Sequence, residues 1–269
     1  MGNPIGIVAG SGEFPFLIVE EAQKQGLSPV VAGIIGEAGI SLKDKTDVFE
    51  WIEVGNILSL ISFFKKNDVK EAVFAGKVNP GAVYRKEKLD EASKKIVTWA
   101  QKRLPSALIQ TIIEYMKDEG IQIVDPRQFI AHFFCEVGIM TETKLSPDVE
   151  EDIAFGWKIA KSIADLDIGQ TVVVKDKSVA AVEGIEGTNE AIRRGGQLAG
   201  EGTVVVKVCR TFQDPRVDLP AVGLKTIRSL VDAQSKVLCF EAQSMPFFQK
   251  KEAISLADAH RIAIVARKL

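Results

Sequence analysis

The feature that most constrains the fold is the alternation of short apolar runs with helix-like runs in the first half of the chain. The apolar runs have the length of buried strands and lie at residues 4–8, 29–35, 48–54, 71–77 and 121–124. Apolar residues recur at spacings of three and four over residues 14–25, 57–66, 92–103 and 106–119. Strands that alternate with helices predict an α/β fold with a mainly parallel sheet and helices on both faces.

The second half of the chain predicts a further α/β unit that contains a β-hairpin. Two β-rich runs, residues 170–175 and 178–182, flank the two-residue turn Asp176-Lys177. Helices are expected at residues 153–164, from Asn189 with Thr188 as its N-cap, up to about residue 234 and from about residue 256. Further strands are expected at residues 203–208, 237–241 and 262–266. The polar segment 138–152 contains Pro147 and marks the expected boundary between domains 1–140 and 141–269.

Composition excludes several classes of protein. The chain has 269 residues, 46% of them apolar, and a net charge of −2, so a nucleic-acid partner, which needs a basic face, is not expected. No apolar run approaches the roughly 18 residues of a membrane-spanning helix, and the N-terminus lacks the pattern of a signal peptide. A cytoplasmic protein is therefore expected. With only 2 histidines, a catalytic metal would be held by carboxylates, which favours Mg²⁺ or Mn²⁺ over Zn²⁺.

A glycine turn follows the first predicted strand. Gly10, Ser11 and Gly12 form half of a dinucleotide-binding fingerprint, whose third glycine is missing. The backbone N–H groups of such a turn can hold a phosphate or a sugar, although a purely structural tight turn has the same pattern. Lys77 ends another predicted strand and, if the strands are parallel, lies on the same edge. Lys77 and the nearby Arg85 are candidate anion ligands, or else solvated loop residues.

The segment at residues 213–223 is the strongest candidate for chemistry. It carries Asp214, Arg216 and Asp218 between two prolines and follows the predicted strand 203–208. Two carboxylates can hold a divalent cation or position water, and the arginine between them can bind phosphate. Aspartates that only form a turn are the alternative. Lys207, near the end of the same strand, is a further candidate for a phosphate ligand.

A second polar loop precedes the helix predicted from Asn189. It runs from Glu183 to Thr188 and supplies two carboxylates, those of Glu183 and Glu186, two glycines, one of them Gly187, and the Thr188 hydroxyl at the start of a helix. Thr188 can cap the helix and also donate to a phosphate. These residues are therefore candidate substrate ligands.

Four sequence blocks resemble the LpxI family of UDP-2,3-diacylglucosamine pyrophosphatases, in order along essentially the whole chain. The blocks are GIVAGSGEFP at residues 6–15, LDIGQTVVV at 166–174, AVEGIEGT at 181–188 and QDPRVDLPAVG at 213–223. The last two blocks are the more specific ones. The resemblance implies a Rossmann-like N-terminal domain and a C-terminal catalytic α/β domain peculiar to the family, with the substrate between them.

The resemblance also implies a reaction and a location. Family members hydrolyse the pyrophosphate of UDP-2,3-diacylglucosamine with Mg²⁺ to lipid X (2,3-diacylglucosamine 1-phosphate) and UMP, a step of lipid A synthesis. They act as homodimers at the cytoplasmic face of the inner membrane. The required acidic residue is assigned to Asp218 first and Asp214 second, which are also the expected metal ligands. Aromatic residues are candidates for an acyl-chain channel, or else core residues: Phe133, Phe134, Phe247 and Phe248.

One departure from the family keeps a second hypothesis open. The family usually has aspartate after the block at 181–188, whereas this chain has Asn189, which lacks the charge. A non-catalytic nucleotide-sugar or sugar-phosphate binding protein is therefore an alternative. A dinucleotide-dependent oxidoreductase, suggested by the strand, glycine turn and helix at the N-terminus, is a third hypothesis.

Overall fold

Contacts in the computed structural model divide the chain into two compact units. The structure describes residues 2–78, 89–100 and 106–268. The first unit comprises Met1–Ile130 and Asp214–Asp218, and the second comprises Ala131–Gln213 and Leu219–Leu269. The sequence placed the boundary at residue 140 and the aspartate segment in the C-terminal domain. In the structure the segment 214–218 groups with the N-terminal unit. Gln110 donates a hydrogen bond to Asp214 there, and Val217 packs against the core.

The N-terminal unit is built on a parallel sheet, as the alternating pattern predicts. The strands follow the order β3-β2-β1-β4-β5, and every neighbouring pair is parallel. Their bounds are β1 Pro4–Ala9, β2 Ser28–Ile34, β3 Val48–Ile52, β4 Glu71–Ala75 and β5 Gln122–Ile123. Parallel strands place their carboxyl ends at one edge of the sheet, which brings the loops after β1 and β4 together.

Helices of the N-terminal unit lie where the helical spacing predicts them. Their bounds are α1 Phe14–Lys24, α2 Ile57–Lys66, α3 Glu91–Ala100 and α4 Ser106–Asp118, with a 3₁₀ helix at Ile40–Lys45. Asn56 caps α2 by accepting a hydrogen bond from the Ser59 amide at 3.2 Å. Residues 101–103, which the sequence adds to α3, and Arg85 lie outside the described residues. Apolar residues from α2, α3 and α4 pack on one face of the sheet in a continuous core.

The C-terminal unit contains a mixed sheet in the order β6-β13-β11-β9-β7-β8. Strands β9, β11 and β13 are parallel, whereas β6, β7 and β8 run antiparallel to their neighbours. The bounds are β6 Gly138–Ile139, β7 Thr171–Lys175, β8 Ser178–Val182, β9 Val204–Lys207, β11 Val237–Glu241 and β13 Ala263–Arg267. A separate parallel pair is formed by β10 Val222–Gly223 and β12 Phe247–Phe248. The α/β fold class with a second, C-terminal sheet is thereby confirmed.

The predicted hairpin between β7 and β8 is also confirmed. Asp176 and Lys177 have φ values of 50° and 56°, which a two-residue turn of the right twist requires. The buried carboxylate of Asp152 accepts the amides of both turn residues at 3.1 and 2.7 Å. A helix therefore fixes the hairpin through its turn.

Helices cover both faces of the C-terminal sheet. Their bounds are α5 Pro147–Asp165, α6 Thr188–Ala199, α7 Leu224–Asp232 and α8 Lys250–Ala259. Alternate strand residues point to opposite faces, so Val173 and Val205 lie in one core cluster and Val172 and Val204 in the other. Helix α6 continues through Gly195, where a Cβ would lie 2.5 Å from a Val173 methyl group. The glycine permits close packing of the helix on the sheet.

Three predicted helix starts are wrong, and one of them is that of α8, which begins at Lys250 rather than at about residue 256. Helix α5 begins at Pro147 rather than residue 153, because proline fits the first turn of a helix, where its missing N–H is not needed. Helix α6 includes Thr188, and the preceding residue is Gly187 with a φ of 82°. Gly187 occupies the N-cap position, so the prediction of Thr188 as N-cap is wrong. Within the described ranges, no helix is long and apolar enough to cross a membrane.

Candidate functional site

The glycine turn after β1 is paired with the loop after β4, as expected for parallel strands. The Ser11 amide donates to the Lys77 carbonyl at 2.7 Å, and the Lys77 amide donates back to the Ser11 carbonyl at 3.1 Å. The Ser11 hydroxyl also donates to the Lys77 carbonyl at 2.9 Å. A Cβ on Gly10 would lie 2.4 Å from that carbonyl oxygen, whereas one on Gly12 would meet no atom within 4 Å. The turn therefore needs glycine at residue 10 for close packing, and it is open at residue 12.

Asp214 is a heavily hydrogen-bonded carboxylate of the aspartate segment. Its Oδ1 accepts the Arg216 amide and Nε, each at 3.0 Å. Its Oδ2 accepts Arg216 Nη2 at 2.7 Å and Gln110 Nε2 at 2.9 Å. A carboxylate has about four acceptor sites, so these donors occupy Asp214 fully.

The same contacts set the acidity of Asp214. The hydrogen bonds from Arg216, assisted by the bond from Gln110, lower the pKa of Asp214 to about 2, against the partial burial that opposes them. The pKa of the Arg216 guanidinium is raised in turn by Asp214. Asp214 is therefore an ionised structural anion at neutral pH and is poorly suited to exchange protons with a substrate.

Asp218 differs from Asp214 in its exposure. The Val217 and Asp218 amides both donate to the Asp214 carbonyl, at 3.1 and 3.2 Å, which closes a turn. Val217 packs against the core of the N-terminal unit, whereas Asp218 is exposed to solvent. The turn thus places Val217 against the core and exposes the side chain of Asp218.

A second polar cluster surrounds Lys207 in the C-terminal unit. Lys207 ends β9, is only 7% exposed, and donates from Nζ to the Thr188 hydroxyl at 3.0 Å and to the Ala221 carbonyl at 2.9 Å. The Thr188 hydroxyl donates in turn to Glu183 Oε1 at 3.0 Å. Glu183 Oε2 accepts the Gln170 amide at 3.2 Å. The chain of bonds connects a buried ammonium group to a carboxylate through a hydroxyl.

Glu186 faces a different partner from Glu183. Its carboxylate forms an ion pair with Arg194 of α6 and accepts a hydrogen bond from the Gly184 amide at 3.1 Å. The bond from Arg194 lowers the pKa of Glu186. Glu186 therefore shapes the loop before α6, next to Gly187, and the Lys207 cluster uses Glu183 instead.

The loop between β9 and the aspartate segment is tied to the C-terminal unit. Glu241, at the end of β11, accepts Lys161 Nζ at 2.7 Å and the Cys209 amide at 2.9 Å. Asp165 accepts both the amide and the hydroxyl of Thr211 at 2.7 Å. Helix α5 and strand β11 therefore fix the backbone that leads to Asp214.

The expected metal pair is only partly compatible with this arrangement. Both oxygens of Asp214 already accept hydrogen bonds from Arg216 and Gln110, so Asp214 does not fit as a metal ligand. Among the residues that the structure describes, no three His, Cys, Asp or Glu side chains form a metal-binding group. Asp218 fits a different arrangement, because Mg²⁺ is commonly held by one or two carboxylates together with phosphate oxygens and water.

The aromatic candidates separate into core and half-buried residues. Phe247 is fully buried and packs edge-on against Phe240, at a centroid distance of 5.7 Å. Phe133 and Phe248 are half-buried and meet edge-on with their ring centroids 5.3 Å apart, and Phe134 is half-buried as well. Phe247 is therefore a core residue, whereas the other three lie close enough to the surface to meet an apolar ligand.

Comparison with protein families covers both units. A model described as the LpxI N-terminal domain matches residues 4–133, and one described as the LpxI C-terminal domain matches residues 136–265. The chain belongs to the LpxI family. A similar LpxI protein, the UDP-2,3-diacylglucosamine pyrophosphatase LpxI of Caulobacter vibrioides, is 25% identical over 265 residues, which cover 94% of each chain.

Solved structures add nothing to the LpxI assignment. The biotin carboxylase domain of a thermophilic 2-oxoglutarate carboxylase matches with a TM-score of 0.30 and 13% identity, over 70% of this chain and 37% of that one. Phosphoribosylglycinamide synthetase from Anaerococcus prevotii matches with a TM-score of 0.26 and 11% identity, over 71% of this chain and 42% of that one. Structural similarity at this level supports no conclusion about this protein.

Sequence patterns and structure agree on some site residues and not on others. The structure brings Ser11 next to Lys77, as strand-end loops predict, and it also brings Thr188 next to Lys207. Gln110, which donates to Asp214, was not among the predicted site residues. Gln110 lies in a helix 104 residues before Asp214, and no local pattern marks it.

Proposed function

We propose that this protein hydrolyses the pyrophosphate bond of UDP-2,3-diacylglucosamine to 2,3-diacylglucosamine 1-phosphate and UMP, a step of lipid A biosynthesis. The observation that carries the proposal is the match of both LpxI domain models, in order, to nearly the whole chain. The name of the Caulobacter relative supplies the substrate. The arrangement of charged groups is consistent with phosphate chemistry.

Asp218 is the residue proposed to act on the attacking water. Hydrolysis of a pyrophosphate requires an oriented water molecule and compensation of charge on the phosphoryl oxygens. Asp218 is exposed on a closed turn, whereas the carboxylate of Asp214 is occupied by Arg216 and Gln110. Asp218 therefore serves as the acceptor for a proton or for a hydrogen bond from water, and Asp214 holds the turn.

Cationic and neutral donors are proposed to bind the substrate's phosphates and sugar. Lys207 donates to phosphate oxygens, and the Thr188 hydroxyl, whose proton goes to Glu183, holds the ammonium group in place. Arg216 adds positive charge beside Asp218. The backbone of Gly187 and the carboxylate of Glu186 contact the sugar or nucleotide. In the N-terminal unit, the corresponding contacts come from Gly10, Ser11, Gly12 and Lys77.

Mg²⁺ is proposed as the metal, held by Asp218 together with phosphate oxygens of the substrate. A single exposed carboxylate suits Mg²⁺, which retains water and phosphate ligands when it binds proteins. When bound, the ion supplies positive charge that offsets the charge of the pyrophosphate. Asp214 is not a ligand in the proposed metal site, because its oxygens accept hydrogen bonds from Arg216 and Gln110.

Release of UMP from UDP-2,3-diacylglucosamine by the purified protein tests the activity, the metal and Asp218 together. Asp218→Ala is expected to lower kcat by about a hundredfold or more, and a chelator is expected to abolish turnover. Asp118→Ala, which removes an exposed aspartate at the end of α4, is the matched control and should retain activity. Substrate binding without turnover by the intact protein would favour the non-catalytic hypothesis, and turnover in chelator would exclude the Mg²⁺ proposal.

A cytoplasmic homodimer that touches the inner membrane is proposed as the working form. The diacylated substrate of the proposed reaction resides in a membrane. Large apolar side chains are exposed on the loops next to the Lys207 end of the C-terminal sheet: Leu166, Ile168, Ile185 and Phe212. They are suited to contact lipid. Sedimentation with phospholipid vesicles and the molar mass in solution measure these properties, and a monomer that stays in the supernatant would contradict them.

A further inference from the structure

Gln110 is a half-buried residue of α4 whose side-chain amide donates to Asp214 Oδ2 at 2.9 Å. We propose that Gln110 is a positioning residue for the hydrolysis, which it supports by holding Asp214 and thereby the turn that presents Asp218. The inference rests on the proposed function, in which Asp218 acts on the attacking water. It extends that function to a helix whose sequence carries none of the blocks that resemble the family.

Asp214 is the centre of the turn at residues 214–218. Its side chain accepts the amide and guanidinium of Arg216, and its carbonyl accepts the amides of Val217 and Asp218. Each of these bonds stays within the segment, so together they define its shape but not its orientation. Its orientation depends also on what holds the segment to the rest of the N-terminal unit.

Gln110 and Val217 supply that attachment in different ways. Val217 packs on the apolar core, and such packing is non-directional. The bond from Gln110 is directional, and it is strengthened because the acceptor is an ionised carboxylate. A neutral amide is suited to this place, since it donates to Asp214 without competing with Arg216 for the negative charge. Gln110 therefore gives the turn a directional attachment to α4.

Gln110→Glu separates a positioning role from a space-filling one. The introduced carboxyl has the same shape, but when ionised it repels Asp214, and when protonated it can again donate a hydrogen bond. The neighbouring anion raises the pKa of the introduced group. Relative to the parent protein, kcat of Gln110→Glu is expected to be about tenfold lower at about pH 8 and to recover towards about pH 5, with little change in KM.

Two further variants complete the experiment. Gln110→Leu has no donor at any pH, so its kcat is expected to remain about tenfold lower across the same range. Gln23→Glu is the matched control, because Gln23 also donates an amide hydrogen bond within the N-terminal unit, to the Lys45 carbonyl at 2.8 Å. It should follow the parent protein at every pH. Equal pH profiles for Gln110→Glu and the parent protein would overturn the inference.

Hydrogen exchange distinguishes a failure of this inference from a failure of the proposed function. In Gln110→Leu the amides of Val217 and Asp218 are expected to exchange several-fold faster, while those of the hairpin turn at residues 176–177 stay unchanged. This readout needs no substrate. If the parent protein releases no UMP, the proposed function fails, and exchange still tests the hold of Gln110 on the turn. Unchanged exchange in the variant would overturn that hold.

Discussion

The Asp214 cluster of the N-terminal unit and the Lys207 cluster of the C-terminal unit hold their charged groups in different ways. Asp214 keeps 26% of its side chain exposed and is paired with an arginine two residues away. Lys207 is only 7% exposed and donates to two neutral oxygens, those of Thr188 and Ala221. The first arrangement neutralises a charge to shape a turn. The second holds a buried ammonium group against a hydroxyl and a carbonyl.

Replacing Lys207 is the strongest way to test this difference. Lys207→Met keeps most of the side-chain volume but removes the charge, so kcat/KM for UMP release is expected to fall by about a hundredfold. Lys175→Met is the matched control, because Lys175 also donates to a carbonyl, that of Ala199 at 2.9 Å. It lies at the opposite end of β7 from Thr171, which pairs with Lys207. Equal losses in the two variants would contradict a specific role for Lys207.

The hydroxyl of Thr188 should have a smaller effect than the charge of Lys207. Thr188→Val removes the group that links Lys207 to Glu183 while preserving the shape of the side chain. We expect kcat/KM to fall by about tenfold, in line with the loss of one hydrogen bond to a charged group. Thr188→Ser restores the hydroxyl and should restore most of the activity. A serine variant as impaired as the valine variant would show that the methyl group matters instead.

The ion pair of Asp214 should contribute to the stability of the protein as well as to its activity. Of the three effects, this one is expected to be the smallest in energy. The pKa of Asp214 is lowered to about 2, so the ionised carboxylate stabilises the folded state above its unfolded pKa of about 3.9. That stabilisation is lost as the pH falls from about 4 to about 2. Because water screens this partly exposed pair, we expect only about 1 kcal/mol.

Urea unfolding of the parent protein and Asp214→Asn across this range measures the effect. The difference in the free energy of unfolding between the two proteins should be largest at neutral pH and shrink on acidification. A difference that is independent of pH would show that the ion pair with Arg216 does not stabilise the turn.

Much of the architecture follows from local patterns. Strand and helix periods predicted the parallel sheet of the N-terminal unit, and the turn at Asp176 and Lys177 predicted the β7–β8 hairpin. Because parallel strands end at one edge, the meeting of Ser11 with Lys77 also followed. Helix starts were less predictable: Pro147 was interpreted as part of a loop, and Gly187, rather than Thr188, precedes α6. Proline and threonine suit both a helix start and a loop, so composition alone does not decide between them.

The sequence by itself determined which strand ends carry charge, because hydrophobic period and turn residues are local properties of the chain. The sequence placed Lys207 near the end of a strand and the aspartates after that strand. It left both Asp214 and Asp218 as candidate catalytic residues. Only the tertiary structure distinguishes their surroundings. It brings Gln110 to Asp214 from 104 residues away and leaves Asp218 exposed. Hydrogen bonds between distant side chains depend on how helices and loops pack, and no short-range pattern encodes that packing.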